Sequence, residues 1–255
     1  MDNRSQHVVG VPLAQQQRRP WTRYVAIGDS LSEGLGDPLP GGGLRGWAVL
    51  LADHLRQFSP EMSFTNLAVR GYRARDAIQR ELPEAIALQP DLITVFIGGN
   101  DVLLTPRLDA ARFADELDQL LAPFADPSVT VVLSTLPDLA AVSPLPPPLR
   151  AQLRRRVETV NEVIRQAAHR YDTVLLDASA EPRILRHAMW SFDRIHPSAT
   201  GHRLIAASVA ELLGIPAAPV ADEAVSASPR GVIRRHAAEI TWLLRHGLER
   251  SPRTA

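Results

Sequence analysis

Five apolar runs that alternate with helix-like segments constrain the fold of this chain more than any other feature of its sequence. The segments between the runs place apolar residues at the three- and four-residue spacing of a helix. Strands and helices that alternate along a chain are typical of a parallel sheet with helices on both faces. The predicted strands lie at residues 23–27, 62–67, 91–97, 128–133 and 173–177. We therefore predict an α/β fold with a doubly wound sheet of five parallel strands.

The length and composition of the chain predict one large domain with appendages. Its 255 residues, of which 45% are hydrophobic, suffice for one substantial core. Residues 1–20 are polar and predict a flexible leader, whereas residues 21–214 contain all five strands. Residues 215–230 are rich in Ala, Pro and Ser, as in a linker. Residues 231–248 carry an apolar face at helical spacing, so we predict a C-terminal amphipathic helix and tail over residues 231–255.

Charge and residue usage exclude several classes of function. Lys and Arg together number 28, as do Asp and Glu, so the formal net charge is zero and a nucleic-acid partner is not expected. Cys is absent, which excludes a thiol nucleophile and a Cys-based zinc site. The apolar stretch 204–220 contains Glu211 and two prolines, and the run 8–14 is too short for a signal peptide. We expect a cytoplasmic protein with no membrane span, no cofactor and no metal, and we leave its oligomeric state open.

A serine follows the first predicted strand directly, in the sequence Gly28-Asp29-Ser30. Ligands of open α/β sheets bind at the carboxyl ends of the strands, so Ser30 occupies a position suited to chemistry. The alternative is structural, because Asp-Ser after a strand is also common as a turn or a helix cap.

Two further strands end in small or polar residues at the same predicted edge. Gly71 follows the second strand, where a glycine either makes a tight turn or lets a backbone N–H approach a ligand. Asn100 follows the third strand within Gly98-Gly99-Asn100-Asp101, where it is either a turn residue or an amide donor.

Asp193 and His196 lie three positions apart in a segment that Pro197 ends. A carboxylate at this spacing can accept from the imidazole Nδ1–H and leave Nε2 facing outward. Together with Ser30, the pair supplies the three residue types of a serine hydrolase. An isolated pair would instead stabilise a turn. His196 and His202 lack the spacing of helical metal ligands, so we predict that His202 is a helix-surface or capping residue.

The chain resembles the SGNH hydrolases, also called GDSL-type esterases and lipases, over roughly residues 23–214. Four signature blocks match in order: Gly28-Asp29-Ser30-Leu31-Ser32, Asn66 through Gly71, Gly98-Gly99-Asn100-Asp101, and Asp193-Arg194-Ile195-His196-Pro197. The resemblance implies a flavodoxin-like three-layer α/β/α fold and hydrolysis of acyl esters of small molecules through an acyl-enzyme. It also implies that Ser30 is the nucleophile, His196 the base and Asp193 its orienting partner, with oxyanion donors at Ser30, Gly71 and Asn100.

Two other functions fit the same predicted sheet. A non-catalytic module could hold a small ligand in the strand-end crevice, although such a module has no need of a complete Ser, His, Asp and Asn set. A dinucleotide site is disfavoured because no Gly-x-Gly-x-x-Gly follows the first strand. The sequence leaves the acid and the alcohol of an ester substrate open. Trp47, Trp190 and Phe192 are candidates for an acyl pocket, with core packing as the alternative use of each.

Overall fold

Five parallel strands form one sheet, which confirms the predicted fold class. A computed structural model describes residues 21–143, 145–191, 193–217 and 220. The strands are β1 Arg23–Gly28, β2 Ser63–Asn66, β3 Leu92–Phe96, β4 Thr130–Ser134 and β5 Val174–Leu176. Their order in the sheet is β2-β1-β3-β4-β5, so β3 lies at the centre with β1 and β4 on either side. The chain reverses its direction of travel across the sheet after β2, and a crevice at such a reversal is where ligands bind in this architecture.

Helices cover both faces of the sheet. They are α1 Ser30–Glu33, α2 Gly46–Arg56, α3 Ala74–Arg80, α4 Leu82–Ala87, α5 Gly99–Leu104, α6 Ala110–Leu121, α7 Leu139–Val142, α8 Pro147–Arg170 and α9 Ala199–Leu212. Short 3-10 turns occupy Ala122–Phe124, Ala178–Ala180, Pro182–Leu185 and His187–Met189.

Alternate residues of the central strands feed two separate hydrophobic cores. In β1, Val25 and Ile27 pack into the core beneath α3, α4, α6 and α8, whereas Tyr24 and Ala26 pack into the core beneath α2 and α9. This alternation is the period of two that a strand imposes on its side chains. Both faces of β1 are therefore buried, so only residues at its carboxyl end can present functional groups to a ligand.

The strand bounds agree with the sequence predictions to within two residues. The Pro-rich segment 135–148 contains α7 and the start of α8 at Pro147. Proline is tolerated in the first turn of a helix, where its missing N–H has no partner to lose. The predicted leader 1–20 and C-terminal helix 231–248 lie outside the described residues. Within the described part of the chain, no helix is long and apolar enough to cross a membrane.

Candidate active site

The turn after β1 presents Ser30 at the sheet edge. Asp29 caps α1, because its Oδ1 accepts from the Leu31 N–H at 3.0 Å. A side chain at Gly28 would place its Cβ 2.3 Å from the Phe96 carbonyl oxygen of β3, so only glycine fits this crossing. The capping role considered for Asp-Ser thus belongs to Asp29. The Ser30 hydroxyl is directed elsewhere.

Three of the sequence-predicted side chains form one hydrogen-bonded chain. The Ser30 Oγ lies 2.9 Å from His196 Nε2, although the two residues are 166 positions apart. His196 Nδ1 lies 2.6 Å from Asp193 Oδ2. Because a carboxylate can only accept, the Nδ1–H donates to Asp193 and Nε2 accepts from the Ser30 hydroxyl.

The pKa of Asp193 results from opposing effects. Burial raises this pKa. The hydrogen bond and the charge of His196 lower it, as do hydrogen bonds from the backbone N–H groups of Ile195 and His196. The lowering effects are larger in sum, so the pKa of Asp193 lies below its usual value. The Ser191 hydroxyl also donates to Asp193 Oδ1 at 2.9 Å. Asp193 is therefore ionised throughout the neutral range and holds one tautomer of His196.

A tight turn aims His196 at the serine. The Ser191 N–H donates to the His196 carbonyl at 2.8 Å, and Trp190 pairs with Pro197 in an isolated antiparallel bridge. Ser198 then caps α9 by accepting from the Gly201 N–H at 3.2 Å. The imidazole is thus fixed between a closed turn and a capped helix.

Asn100 lies in the first turn of α5 and also reaches the site. Its Nδ2 donates to the Tyr72 carbonyl at 2.9 Å and lies 3.4 Å from Asp29 Oδ2. Burial raises the pKa of Asp29 to about 6. Since the contact with Asp29 is long, one of the two amide hydrogens is only weakly engaged.

Gly71 lies beside Tyr72 in an exposed turn. Its φ is 82°, and a Cβ would meet no atom within 4 Å, so glycine is favoured here by backbone conformation and not by crowding. Gly71 is not among the described residues that line the cavity beside Ser30. Asn100 contacts the neighbouring residue Tyr72, whereas Gly71 itself shares no described hydrogen bond with Ser30, Asn100 or His196.

Two acidic residues that sequence reasoning missed hold this turn in place. Glu33 accepts from the Arg70 N–H at 2.9 Å and from its guanidinium at 2.7 Å. Glu81 is buried and accepts from the N–H groups of Gly28 at 2.8 Å and Val69 at 3.2 Å. Burial raises the pKa of Glu81 to about 8, against the lowering effect of these two hydrogen bonds. In the sequence, the position of Glu33 three residues after Ser30 could have marked it as part of the site. Nothing in the sequence distinguishes Glu81 from a solvent-exposed helix residue.

A cavity of about 250 Å³ opens beside Ser30, Asn100 and His196. Trp190 lines it, as considered from the sequence, and the indole N–H donates to the Ile184 carbonyl at 2.6 Å. Trp47 does not line it but stacks on Phe96 at 4.2 Å in the core, which was the alternative for that residue. Phe192, the third candidate, lies outside the described residues.

His202 is not a helix-surface residue, and that part of the prediction is wrong. It is fully buried where α9 crosses α2. Its Nδ1 accepts from the Trp47 N–H at 3.1 Å, and its Nε2–H donates to the Leu35 carbonyl at 2.9 Å. It therefore caps the first turn of α2 from a different helix, which the local sequence does not reveal. In the described ranges, no group of three or more His, Cys, Asp or Glu residues is arranged to hold a metal ion.

A serine hydrogen-bonded to a histidine at the carboxyl edge of a parallel sheet is the arrangement found in serine-type hydrolases. The model of the GDSL-like Lipase/Acylhydrolase family matches residues 26–204, and the chain belongs to that family. It is accordingly a carboxylic ester hydrolase of the SGNH type. Family membership disfavours the alternative of a non-catalytic binding module.

Known proteins similar to this chain agree with the assignment. An acetylxylan esterase of Geobacillus stearothermophilus is 26% identical over 208 aligned positions, and the alignment covers 75% of this chain and 94% of that protein. LAE5, an α/β hydrolase enzyme from the metagenome of Lake Arreo, Spain, is 28% identical with a TM-score of 0.60, over 76% of this chain and 95% of its own. Axe2, an acetylxylan esterase from Geobacillus stearothermophilus, has a TM-score of 0.60 at 23% identity over the same shares, which supports the fold.

Proposed function

We propose that the protein hydrolyses carboxylic esters through an acyl-enzyme on Ser30, with His196 as general base and Asp193 as the residue that orients it. The observation that carries the proposal is the pair of hydrogen bonds that links Asp193, His196 and Ser30 at 2.6 and 2.9 Å. A serine hydroxyl is a weak nucleophile until a positioned base takes its proton, and His196 Nε2 is within reach of that proton.

In the acylation step, Ser30 Oγ attacks the ester carbonyl carbon while its proton passes to His196 Nε2. The resulting imidazolium is stabilised by the ionised Asp193 at 2.6 Å. The tetrahedral intermediate collapses when the bond to the alcohol oxygen breaks and His196 returns the proton to that oxygen. Water then repeats the sequence on the acyl-enzyme, which releases the acid and restores Ser30.

The negative oxygen of the intermediate needs donors that are already in position. We assign this role to the N–H groups of Ser30 and Gly71 and to the side-chain amide of Asn100. Asn100 is supported by its geometry, since one amide hydrogen is held by Tyr72 and the other has only a long contact with Asp29. Gly71 is supported by its place in the turn that Glu33 and Asn100 hold on either side.

The name of the acetylxylan esterase relative makes acetyl esters of carbohydrates the first substrate class to assay. Acetylated xylo-oligosaccharides and a simple aryl acetate together separate general esterase activity from recognition of a sugar.

Substitutions in the hydrogen-bonded chain test the proposal. Ser30→Ala and His196→Ala should each lower kcat on p-nitrophenyl acetate by about 10⁴-fold or more. Asp193→Asn should cost about 10⁴-fold, because an amide favours the wrong imidazole tautomer. His169→Ala, at an exposed position of α8, is the control and should keep wild-type turnover.

A covalent label provides an independent readout of the nucleophile. A fluorophosphonate probe should attach to Ser30 in the wild-type protein and to nothing in Ser30→Ala. Wild-type turnover by folded Ser30→Ala, or labelling of a different serine, would refute the assignment.

A further inference from the structure

We propose that Glu81 is a positioning residue for catalysis, and that its buried carboxyl group holds the turn of Gly71 at a fixed distance from the turn of Ser30. The inference rests on the proposed function, because it takes the N–H groups of Ser30 and Gly71 as donors to the oxyanion. It adds a residue that lies outside the reacting groups and outside the four motifs of the sequence.

The end of β1 extends beyond the neighbouring strand β2. The Leu67 N–H donates to the Ala26 carbonyl at 2.9 Å, and β2 ends at Asn66. Gly28 lies two positions after Ala26, so its N–H points to the same side of β1. Because β2 has already ended there, the Gly28 N–H donates instead to Glu81 Oε2 at 2.8 Å. Glu81 thus supplies the acceptor that a longer β2 would have provided.

The other carboxyl oxygen of Glu81 reaches the turn that follows β2. Its Oε1 accepts from the Val69 N–H at 3.2 Å. Gly28 lies two positions before Ser30, and Val69 lies two positions before Gly71. One side chain therefore joins the backbone that presents the nucleophile to the backbone that presents the proposed oxyanion donor.

The turn that contains Gly71 has one backbone donor left over. The Val69 N–H is held by Glu81. The Arg70 N–H donates to the α1 carboxylate at 2.9 Å, and the Tyr72 N–H donates to the Val69 carbonyl at 3.2 Å. Within the described part of the chain, the Gly71 N–H has no hydrogen-bond partner. Gly71 therefore offers a free donor whose direction is fixed by bonds on both sides of it.

The backbone of Glu81 is itself rigidly held. Its N–H donates to the Ala77 carbonyl at 2.9 Å, and its carbonyl accepts from the Ala85 N–H at 2.9 Å, so α3 continues into α4 through this residue. The residue is 2% exposed, and no basic side chain in the described ranges forms an ion pair with it. Burial of a carboxyl group without a cation costs free energy, which the two backbone donors offset. These two donors are therefore the reason for an acid at this position.

Glutamine at position 81 cannot do what glutamate does. A carboxyl group has two oxygens that accept in either protonation state, whereas an amide has one acceptor oxygen and an NH₂ group that only donates. Glu81→Gln therefore keeps one of the two hydrogen bonds and sets a donor against the other N–H. The side chain keeps its volume, so the surrounding core stays filled. The expected result is a wider gap between the two turns and a displaced Gly71 N–H.

Steady-state kinetics on p-nitrophenyl acetate test the proposal. In Glu81→Gln we expect kcat to fall by about tenfold to a hundredfold, because a displacement of about 1 Å in a catalytic group costs up to about a hundredfold. We expect KM to stay within about twofold, because an oxyanion donor acts chiefly once charge has developed. Glu81→Asp keeps the charge but is one methylene shorter, so it cannot reach both N–H groups and kcat should fall by a similar factor. Either variant carries the test if the other does not fold.

Two controls separate positioning from stability. Glu84→Gln changes an exposed glutamate on α4 and should keep wild-type kcat. Tyr24→Phe removes a buried hydrogen bond on β1, in which the Tyr24 hydroxyl lies 3.2 Å from Thr94 Oγ1. Tyr24→Phe should lower the urea midpoint of unfolding and leave kcat unchanged.

Amide resonances provide a readout that does not depend on turnover. In Glu81→Gln, the amide proton of Gly28 or Val69 should shift, since one of these groups loses its acceptor, and that of Gly71 should shift with it. The amide proton of Val132, within β4, should stay at its wild-type position. Glu84→Gln should leave all four resonances in place.

The outcomes distinguish this inference from the function on which it rests. Wild-type kcat in folded Glu81→Gln or Glu81→Asp, with Ser30→Ala inactive, overturns the positioning role and leaves the esterase proposal standing. A raised KM with unchanged kcat also overturns it, and so does an equal loss of kcat in Tyr24→Phe. Absence of ester turnover and of Ser30 labelling in the wild-type protein overturns both.

Discussion

The amide of Asn100 holds the turn beside it and is also offered to the reaction. One amide hydrogen donates to the Tyr72 carbonyl at 2.9 Å, which ties α5 to the turn that contains Gly71. The other lies 3.4 Å from Asp29 and is the group that we assign to the oxyanion. The alternative considered from the sequence is that Asn100 serves only as a turn residue. The two roles differ in what a carboxylate at the same position would do.

Asn100→Ala should lower kcat by about a hundredfold or more, or about 3 kcal/mol, with KM little changed. The donor matters chiefly once negative charge has developed, so its loss falls on the rate and not on binding. Asn100→Asp should be worse, because a carboxylate repels both the developing oxyanion and Asp29. Steady-state kinetics on an aryl ester, with folding checked by a thermal melt, provides the measurement. Near-wild-type kcat in Asn100→Asp would leave only the turn role.

At the scale of elements, the contact between α2 and α9 depends on a neutral histidine. His202 accepts from the Trp47 N–H through Nδ1 and donates to the Leu35 carbonyl through Nε2. A second proton would convert Nδ1 into a donor facing another donor. Burial lowers the pKa of His202 to about 4, whereas an unfolded histidine titrates near 6.5.

This shift predicts a loss of stability in acid with a defined sign. Between about pH 6.5 and pH 4 the unfolded chain binds a proton at residue 202 that the folded protein does not, so the free energy of unfolding falls as the pH falls. The decline attributable to His202 should approach about 1.4 kcal/mol per pH unit within that window. His202→Gln offers an acceptor and a donor without titrating, so its urea unfolding should depend less on pH.

His169→Gln, on the exposed surface of α8, is the control and should follow the wild-type pH profile. The comparison is between variants at each pH, so titration of Asp29 and other shared groups cancels. If His202→Gln and the wild type lost stability equally from pH 7 to pH 5, the buried neutral histidine would not be the cause.

At the scale of the whole molecule, every group assigned to the reaction precedes residue 200. Ile215 is nevertheless part of the core around α2 and α9, and its N–H donates to the Ala210 carbonyl at 2.8 Å. The predicted domain boundary after residue 214 therefore separates Ile215 from the core in which its side chain is packed. We propose that the catalytic unit extends a few residues further, to about residue 220.

Truncation after Val220 should keep both fold and turnover of p-nitrophenyl acetate. Truncation after Gly214 should be less stable by about 1.5–3 kcal/mol, since it removes a buried isoleucine. Thermal melts, size-exclusion chromatography and the esterase assay provide the comparison. A folded but inactive product of the truncation after Val220 would show that residues 221–255 contribute to the site.

The number of strands, the fold class, the family and the candidate site residues were all predictable from the sequence. Each depends on local information: a period of two or 3.6 in the apolar residues, or a short motif whose members follow one another in the chain. Ser30, Asn100, Asp193 and His196 were found because each lies in such a motif. The types of these four residues also indicate which chemistry they can perform.

Only the tertiary structure decided the strand order, the roles of Glu81 and His202, and the extent of the cavity. These properties depend on contacts between residues far apart in the chain, such as the 155 positions between Trp47 and His202. A buried glutamate or histidine has the same letter as a solvated one, and its hydrogen-bond partners are backbone groups that leave no trace in composition or periodicity. The cavity is likewise a space between elements, so its shape exists only once β3, β4, β5 and the turn at residues 190–198 have packed together.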